Sequence, residues 1–297
     1  MSKECAIIGS TGYIGKHLAY YLQTYYHIVP SCYDIVPNDY SMPYYQQIDL
    51  LNKESLKLID LNVDYLFVFA GLTGTHASFE QYEQYTMVNE VGLMNLLDLI
   101  SQSPFRPRII FPSSRLVYKG VDKPLKEDDE KEAKTIYAAN KIACEHLLHT
   151  YANRYGIPYT IFRICVPYGN MLSGDYSFGT IGAFLRRAKA KENISLYGGG
   201  SIKRTFTHIE DVCYQIMNAA FNPPDKEQIY NIGGETLSLY EAAQIIADKY
   251  GVNVLSVDWP EKDLLIESGH TYFDDSKIRS AIQPIEYKRL KDFVNDL

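Results

Sequence analysis

Tyr137 and Lys141 are the residues whose types and spacing most directly suggest chemistry. They stand four positions apart in the segment Tyr-Ala-Ala-Asn-Lys of a predicted helix, so both side chains share one helix face. A phenol titrates near pH 10, and a base acting at neutral pH needs a pKa a few units lower, about 4 kcal/mol in favour of the phenolate. A neighbouring ammonium supplies part of that free energy. The spacing predicts a tyrosine base assisted by a lysine, although 26 tyrosines in the chain make a chance match easy.

Ser114 could supply a hydroxyl to the same chemistry. It precedes Tyr137 by 23 residues and follows the apolar run Ile109–Phe111, a predicted strand. A hydroxyl at the carboxyl end of such a strand faces the crevice in which open α/β sheets bind ligands. There it could hydrogen-bond a substrate oxygen and help to pass its proton to Tyr137. Ser113 is an alternative source of this hydroxyl.

A glycine-rich turn stands between the first predicted strand and the first predicted helix, with glycines at positions 9, 12 and 15. The first glycine permits a tight turn, the second lets the backbone approach a pyrophosphate, and the third allows close packing of helix on strand. The helix N-terminus favours an anion. We predict that a dinucleotide binds along the turn formed by Gly9, Thr11, Gly12, Tyr13, Ile14 and Gly15.

Asp34 closes the second predicted strand, 25 residues after Gly9. A carboxylate near this offset accepts a hydrogen bond from a ribose 2′-hydroxyl and repels a 2′-phosphate. The sequence therefore predicts NAD as the cofactor, with NADP disfavoured. No metal site is expected.

The elements that must position these residues follow from an alternation of short apolar runs with longer segments of helical periodicity, which predicts βαβ units. The predicted strands are Ala6–Gly9, Ile28–Asp34, Tyr45–Asp49, Tyr65–Ala70, Arg108–Ser113, Tyr159–Cys165 and Ile229–Ile232. The predicted helices cover residues 13–25, 53–60, 81–102, 136–155, 181–191 and 238–250. We predict an α/β fold, a Rossmann-type doubly wound parallel sheet with a smaller α/β substrate-binding domain. The NAD-binding domain is expected over residues 1–167 with part of 204–234, and the substrate-binding domain over 168–203 and 235–297.

The composition excludes several classes of protein. The chain has 297 residues, enough for two domains, and its 29 Lys and Arg against 36 Asp and Glu argue against a nucleic-acid-binding surface. Five cysteines without a Cys-x-x-Cys pair indicate a reducing compartment. No apolar stretch approaches the roughly 20 residues that cross a bilayer. We therefore expect a cytoplasmic protein that binds no membrane.

Taken together in order, these motifs resemble the extended short-chain dehydrogenase/reductase family, the NAD-dependent epimerase/dehydratases that act on nucleotide sugars. The matching pieces are Gly9–Gly15, Asp34, Asp49-Leu50, Phe69–Gly71, Asn89, Ser113-Ser114 with Tyr118, Tyr137 with Lys141, Arg163 with Pro167–Gly169, and Arg204 with Asp211.

The resemblance implies a role for each site residue. Tyr137 would be the catalytic base, Ser114 its substrate-contacting partner, and Lys141 the residue that bridges the nicotinamide ribose; Tyr137 and Lys141 would thus also contact the cofactor. Arg204 would bind the diphosphate of the substrate, a role that suits the guanidinium fork. Further cofactor contacts are implied for Asp49, Leu50, Ala70, Gly71 and Asn89.

The two residues after Ser114 separate branches of this family. Dehydratases typically carry Asp-Glu there, sugar-acid decarboxylases a glutamate in the second position and GDP-fucose synthases a cysteine, whereas this chain has Arg115 and Leu116. Leucine transfers no proton, so dehydration, decarboxylation and epimerisation beside the keto group are disfavoured. We expect an NAD-dependent nucleotide-sugar 4-epimerase. An NAD(P)H-dependent 4-keto-sugar reductase is the alternative, and a non-catalytic dinucleotide-binding protein is less favoured; a UDP-sugar substrate and a homodimer are expected by family analogy.

Overall fold

The computed structural model of the chain describes residues 3–37, 42–174, 176 and 178–297. Within these residues the strands are β1 (Cys5–Ile8), β2 (Ser31–Asp34), β3 (Tyr45–Gln47), β4 (Tyr65–Val68), β5 (Arg108–Ser114), β6 (Tyr159–Ile164), β7 (Val166–Tyr168), β8 (Ile194–Tyr197), β9 (Lys203–His208), β10 (Glu227–Asn231), β11 (Glu235–Ser238) and β12 (Val254–Val257). The α-helices are α1 (Tyr13–Tyr26), α2 (Lys53–Leu56), α3 (Thr75–Glu80), α4 (Tyr82–Thr86), α5 (Gly92–Gln102), α6 (Ile136–Tyr155), α7 (Gly179–Lys189), α8 (Ile209–Phe221), α9 (Leu239–Tyr250), α10 (Glu261–Ile266), α11 (Ser276–Ala281) and α12 (Leu290–Asn295).

Seven strands form the main sheet in the order β3-β2-β1-β4-β5-β6-β10. β1 pairs in parallel with both β2 and β4, β2 with β3, and β4 with β5. The chain leaves β1 on one side and returns with β4 on the other, so the strand order reverses between these two strands. Such a switch point is where doubly wound sheets bind ligands, beyond the carboxyl ends of the strands. The predicted Rossmann-type fold is confirmed.

The central strands read as continuous apolar runs because both of their faces are covered. All four residues of β1 are buried, as are the last three of β4. Leu93 and Leu97 of α5, Leu148 of α6 and Ile109 of β5 belong to the same buried cluster. The sheet and these two helices therefore share one core, which fixes β5 against α6.

The second strand is shorter than predicted. Our expectation ran from Ile28 to Asp34, but β2 begins at Ser31, directly after Pro30. Proline has no N–H to donate to the hydrogen-bond ladder of the sheet, so the strand begins at the residue after Pro30. Asp34 keeps its predicted place at the strand end.

Helix α6 matches its predicted span and is capped at both ends. The Thr135 side chain accepts a hydrogen bond from the backbone N–H of Ala138 at 3.1 Å, and Gly156 ends the helix with φ of 70°. Threonine at an N-cap and glycine in the left-handed region are the residues these positions favour. The caps place Tyr137 in the first turn of the helix and Lys141 one turn later.

The predicted helix 81–102 contains an unforeseen irregularity. Between α4 and α5 the residues Met87–Val91 form a π-helical turn. A π-turn accommodates one extra residue and is frequent at functional sites. Here it includes Asn89 and Glu90, whose side chains contact different neighbours.

Contacts divide the chain into two units, and each is described by itself. The first comprises Met1–Val117, Thr135–Phe162 and Pro223–Ile229, and the second comprises Tyr118–Lys134, Arg163–Asn222 and Tyr230–Leu297. Residues 118–134 thus join the second unit by contact, whereas we expected them in the NAD-binding domain. The physical reason is a buried network in which the Tyr118 hydroxyl donates to Asn231 at 2.7 Å and accepts from Arg163 at 2.8 Å. The division into an NAD-binding and a substrate-binding domain stays a prediction.

The second unit contains two small sheets. One has the order β11-β9-β7, with β9 antiparallel to β11 and parallel to β7, and the other pairs β8 with β12 in parallel. Across the described ranges of both units, no helix is long and apolar enough to span a bilayer.

Candidate active site

The glycine-rich turn leads from β1 into α1 and leaves no room for a side chain at positions 9 and 15. Gly9 has φ of +87°, and a Cβ there would lie 2.3 Å from the backbone nitrogen of Ala70. A Cβ on Gly15 would lie 2.0 Å from the carbonyl oxygen of Gly9. Gly12 is the N-cap of α1 and provides no side-chain cap, so the helix begins with unblocked N–H groups. Tyr13 and Ile14 lie in that first turn, where the partial positive charge suits an anion.

Asp34 fixes the same turn from the end of β2. Its Oδ2 accepts hydrogen bonds from the backbone N–H of Thr11 at 2.9 Å and from the Thr11 hydroxyl at 2.8 Å, and Oδ1 accepts from the N–H of Ile35 at 2.7 Å. A carboxylate offers roughly four acceptor positions, so Oδ1 keeps capacity for a ribose hydroxyl. The residue predicted to bind the ribose therefore also holds the predicted phosphate turn in place.

A cleft of about 310 Å³ opens at the carboxyl ends of the strands in the first unit. Its lining includes these predicted cofactor residues: Gly9, Thr11, Gly12, Asp34, Asp49, Leu50, Ala70 and Gly71. It also includes residues that sequence reasoning missed: Ile8, Ile35, Ile48, Leu51, Phe69, Leu72, Gln84 and Val88. The i, i+4 spacing of Gln84 and Val88 was the available signal, because it puts both on one helix face. The cleft has apolar walls, the Asp34 carboxylate that suits a ribose, and the N-terminus of α1. This combination fits a dinucleotide.

Asn89 is predicted to contact the cofactor, and the structure shows what it binds in the protein. Its Oδ1 accepts from the backbone N–H of Leu72 at 2.8 Å, and its Nδ2 donates to the Leu72 carbonyl at 3.1 Å. Both ends of the amide thus hold the segment that follows β4. Because Leu72 lines the cleft, Asn89 shapes the cleft wall from behind.

The structure brings Ser114 and Tyr137 together. The Ser114 side chain hydrogen-bonds Tyr137, whose own side chain is 9% exposed. Burial raises the pKa of Tyr137 to about 12, while the bond from Ser114 and the positive charge of Arg115 lower it. Of the two serines that could supply the hydroxyl, Ser114 is the one that contacts Tyr137.

Lys141 is buried below Tyr137 on α6. Its Nζ donates to the Pro112 carbonyl at 2.7 Å and lies 4.5 Å from the centroid of the Phe111 ring and 5.8 Å from that of Tyr137. Burial lowers the pKa of this lysine. The cation nevertheless faces the phenol, so it can stabilise a phenolate there.

Ser113 serves a different partner. Its hydroxyl donates to Oε1 of Glu145 at 2.5 Å. Three consecutive residues of β5, namely Pro112, Ser113 and Ser114, therefore contact Lys141, Glu145 and Tyr137 of α6, in that order. Sequence reasoning missed Glu145, although its i, i+4 position relative to Lys141 was readable.

Arg204 lies in the second unit with a buried guanidinium. Its Nη2 donates to Oε1 of Glu267 at 2.6 Å and its Nη1 donates to the carbonyls of Lys203 at 2.9 Å and Gly269 at 2.5 Å. The arginine is 2% exposed. Its predicted contact with a substrate diphosphate stays a prediction, to which the structure adds a carboxylate that already holds the guanidinium.

A family model described as the NAD-dependent epimerase/dehydratase family matches residues 5–233. The chain belongs to the NAD-dependent epimerase/dehydratase family. Membership makes it an enzyme of the extended short-chain dehydrogenase type, with NAD as its cofactor. Both expectations drawn from the sequence are confirmed.

Two curated relatives illustrate the range of this family. The chain is 30% identical over 264 residues to the UDP-N-acetyl-alpha-D-glucosaminuronate decarboxylase of Bacillus cytotoxicus, covering 83% of this chain and 80% of the relative. It is also 30% identical over 193 residues to the UDP-glucuronate 4-epimerase of Thermodesulfobacterium geofontis, covering 64% of this chain and 58% of the relative.

Among solved structures, the chain is similar in fold to Pal from Bacillus thuringiensis, with a TM-score of 0.85, 20% identity and coverage of 98% of this chain and 96% of that one. The UDP-glucuronic acid 4-epimerase from Bacillus cereus, in complex with UDP-glucuronic acid and NAD, gives a TM-score of 0.83 at 21% identity and the same coverage. At this identity the likeness concerns the fold.

Proposed function

We propose that this enzyme interconverts the C4 epimers of a nucleotide sugar through a 4-keto sugar. The observation that carries the proposal is the cluster of Ser114, Tyr137 and Lys141, assembled by the contacts between β5 and α6. It provides the means to remove and return one hydroxyl proton. A second acid or base, which other reactions of the family require, has no counterpart at Leu116.

The chemistry divides between the cofactor and these side chains. NAD, when bound in the cleft of the first unit, supplies a reversible hydride acceptor for the sugar C4. Tyr137 takes the proton of the 4-hydroxyl as the C4–H bond breaks and returns a proton once the keto sugar has presented its other face. Ser114 hydrogen-bonds the same oxygen, and the charge of Lys141 favours the phenolate of Tyr137.

Two charges offset the cost of that phenolate. In the free protein burial holds the pKa of Tyr137 near 12, so its phenolate is scarce at neutral pH. The Lys141 ammonium lies on the tyrosine's own helix face, and a nicotinamide cation beside the phenol would add a second positive charge. Tyr137 also sits in the first turn of α6, where the helix dipole favours an anion.

The position of Leu116 argues against the other reactions known among relatives. Its backbone N–H donates to Oγ of Ser114 at 3.2 Å, so the residue directly adjoins the proposed catalytic hydroxyl. A leucine at this place neither protonates nor deprotonates a sugar carbon. The chain is similar to a decarboxylase over most of its length, but it has Leu116 where decarboxylases of this family typically carry a glutamate.

The proposal extends to the substrate and to assembly. Both relatives described above act on UDP-sugars by name, which favours UDP as the nucleotide. We propose that Arg204 contacts the diphosphate, where a guanidinium fork suits two phosphoryl oxygens. A homodimer is proposed by family analogy.

The decisive experiment offers the purified full chain a panel of UDP-hexoses, UDP-N-acetylhexosamines and UDP-hexuronic acids carrying deuterium at C4, with catalytic NAD⁺. Proton and deuterium NMR should show the C4 epimer forming to equilibrium with the label retained at C4, and no net NADH. Stoichiometric consumption of NADH or NADPH by a 4-keto sugar, without epimerisation, would overturn the proposal in favour of a reductase. Tyr137→Phe serves as the matched inactive control.

A further inference from the structure

We propose that Glu145 is a positioning residue that, held by Ser113, presents its carboxylate to Lys141 and ties α6 to the end of β5. This inference deepens the proposed function, because it concerns how the proposed catalytic lysine is held. Glu145 itself touches neither substrate nor cofactor in this proposal. It acts through Lys141 and, by way of Lys141, through Tyr137.

The spacing along α6 places Glu145 in a row with Tyr137 and Lys141. Tyr137, Lys141 and Glu145 follow one another at intervals of four on α6, so their side chains form one row. Opposite this row runs the end of β5, where each residue contacts one member: Ser114 meets Tyr137, the Pro112 carbonyl meets Lys141, and the Ser113 hydroxyl meets Glu145. Both the cation and the carboxylate are thereby anchored on adjacent residues of a single strand.

Glu145 also belongs to the charged surroundings of Lys141. Its buried ammonium has a carbonyl and an aromatic face as neighbours. Desolvation lowers its pKa, whereas Cys144 and Glu145 raise it. Burial holds the pKa of the Cys144 thiol near 11, so that thiol is uncharged at neutral pH. Among these neighbours Glu145 is therefore the carboxylate that raises the pKa of Lys141.

Other elements packed against this face of α6 also carry titratable and charged groups. Tyr85 of α4 and Arg115, just beyond β5, act on Tyr137. Glu90 of the π-helical turn accepts a hydrogen bond from the amide of Asn140 at 2.5 Å and acts on Cys144. These groups shift the pKa of Tyr137 or of Cys144, whereas Glu145 raises the pKa of Lys141.

The test measures Lys141 directly and requires no sugar. The full chain, labelled with ¹³Cε-lysine and saturated with NAD⁺, is titrated by NMR, and the Lys141 signal is assigned by its loss in Lys141→Arg. Glu145→Gln keeps an acceptor for Ser113 but removes the charge, so the pKa of Lys141 should fall by about one unit. Glu145→Asp keeps the charge and should leave the pKa closer to that of the wild type. Asp98→Asn, which removes a carboxylate from α5, is the matched control.

A pKa of Lys141 that moves no further in Glu145→Gln than in Asp98→Asn would overturn the inference. If Glu145→Gln does not fold, Ser113→Ala replaces it; freeing the carboxylate should lower the pKa of Lys141 by a smaller amount, and an unchanged value is equally fatal. Because neither readout depends on turnover, failure of the sugar panel and failure of this inference are separate results. In an active enzyme, Glu145→Gln should also move the alkaline limb of the pH–rate profile to lower pH.

Discussion

Ser114 and Tyr137 are joined by a hydrogen bond although they stand 23 residues apart, because β5 ends against the first turn of α6. The bond places a hydroxyl from the sheet beside a phenol from the helix. Neither element could supply both groups, and their relative position is fixed by the shared core. The proposed proton transfer therefore depends on the packing of α6 on β5.

Replacing Tyr137 by phenylalanine should abolish the proposed turnover while leaving the fold intact. The phenyl ring fills the same buried space, but the proton acceptor is gone, and general-base catalysis contributes about 100-fold to 10,000-fold. The measurement is the rate of C4 epimerisation together with the affinity for NAD. Unchanged turnover would mean that another residue removes the proton.

Asp34→Asn should weaken NAD binding and narrow the preference for NAD over NADP. The amide can still accept from Thr11, but it loses the charge-assisted bond to a ribose hydroxyl, worth about tenfold in affinity. It also loses the repulsion of a 2′-phosphate. The ratio of the dissociation constants for NADP and NAD checks both effects. Asp98→Asn, which removes a carboxylate of α5 outside the cleft lining, is the control and should leave that ratio unchanged.

Arg204→Met should destabilise the protein whatever the substrate is. It leaves the Glu267 carboxylate without its cationic partner and takes the guanidinium donor away from the carbonyls of Lys203 and Gly269. Breaking a buried ion pair from one side typically costs about 3–5 kcal/mol. Urea unfolding should show this loss, and the double variant Arg204→Met with Glu267→Met should recover part of it. Strict additivity of the two changes would show that the pair is not energetically coupled.

The buried carboxyl of Asp211 should make the free energy of unfolding fall as the pH rises. Burial raises the pKa of this carboxyl to about 6, against an ordinary value of 3.8. The raised pKa of Asp211 therefore stabilises the folded protein fully below pH 3.8. As the pH rises through 6, this stabilisation is lost and the free energy of unfolding falls by about 2–3 kcal/mol. Asp211→Asn can still accept the backbone N–H of Lys288, which binds Oδ2 at 2.8 Å. The melting temperature of the variant relative to the wild type should therefore rise between pH 4 and pH 8; a constant difference would contradict the prediction.

The sequence was most informative where local patterns determine structure. The glycine turn, the span of α6 and the strand end at Asp34 follow from backbone sterics, caps and periodicity, which act over a few residues. The strands of the second unit after Tyr168 were missed because none of them is a continuous apolar run. β8 alternates buried and exposed residues over four positions, and β9, although five of its six residues are buried, has Phe206 as its one apolar residue. The partners of Ser113 and Arg204 could not be read from the chain, since Glu145 and Glu267 reach them only through tertiary packing.

The π-helical turn at Met87–Val91 has a consequence for how this chain can vary. Gln84, just before the turn, and Val88, within it, line the cleft, and Glu90 of the same turn accepts a hydrogen bond from Asn140 of α6. A π-turn holds one residue more than an α-helical turn over nearly the same rotation, so removing one residue here would restore a regular helix and keep α4 and α5 nearly aligned. The deletion would instead shift the side chains inside the turn, so that Val88 and Glu90 would not both keep their present neighbours. The extra residue thus lets a single turn of helix serve the cleft and α6 at once.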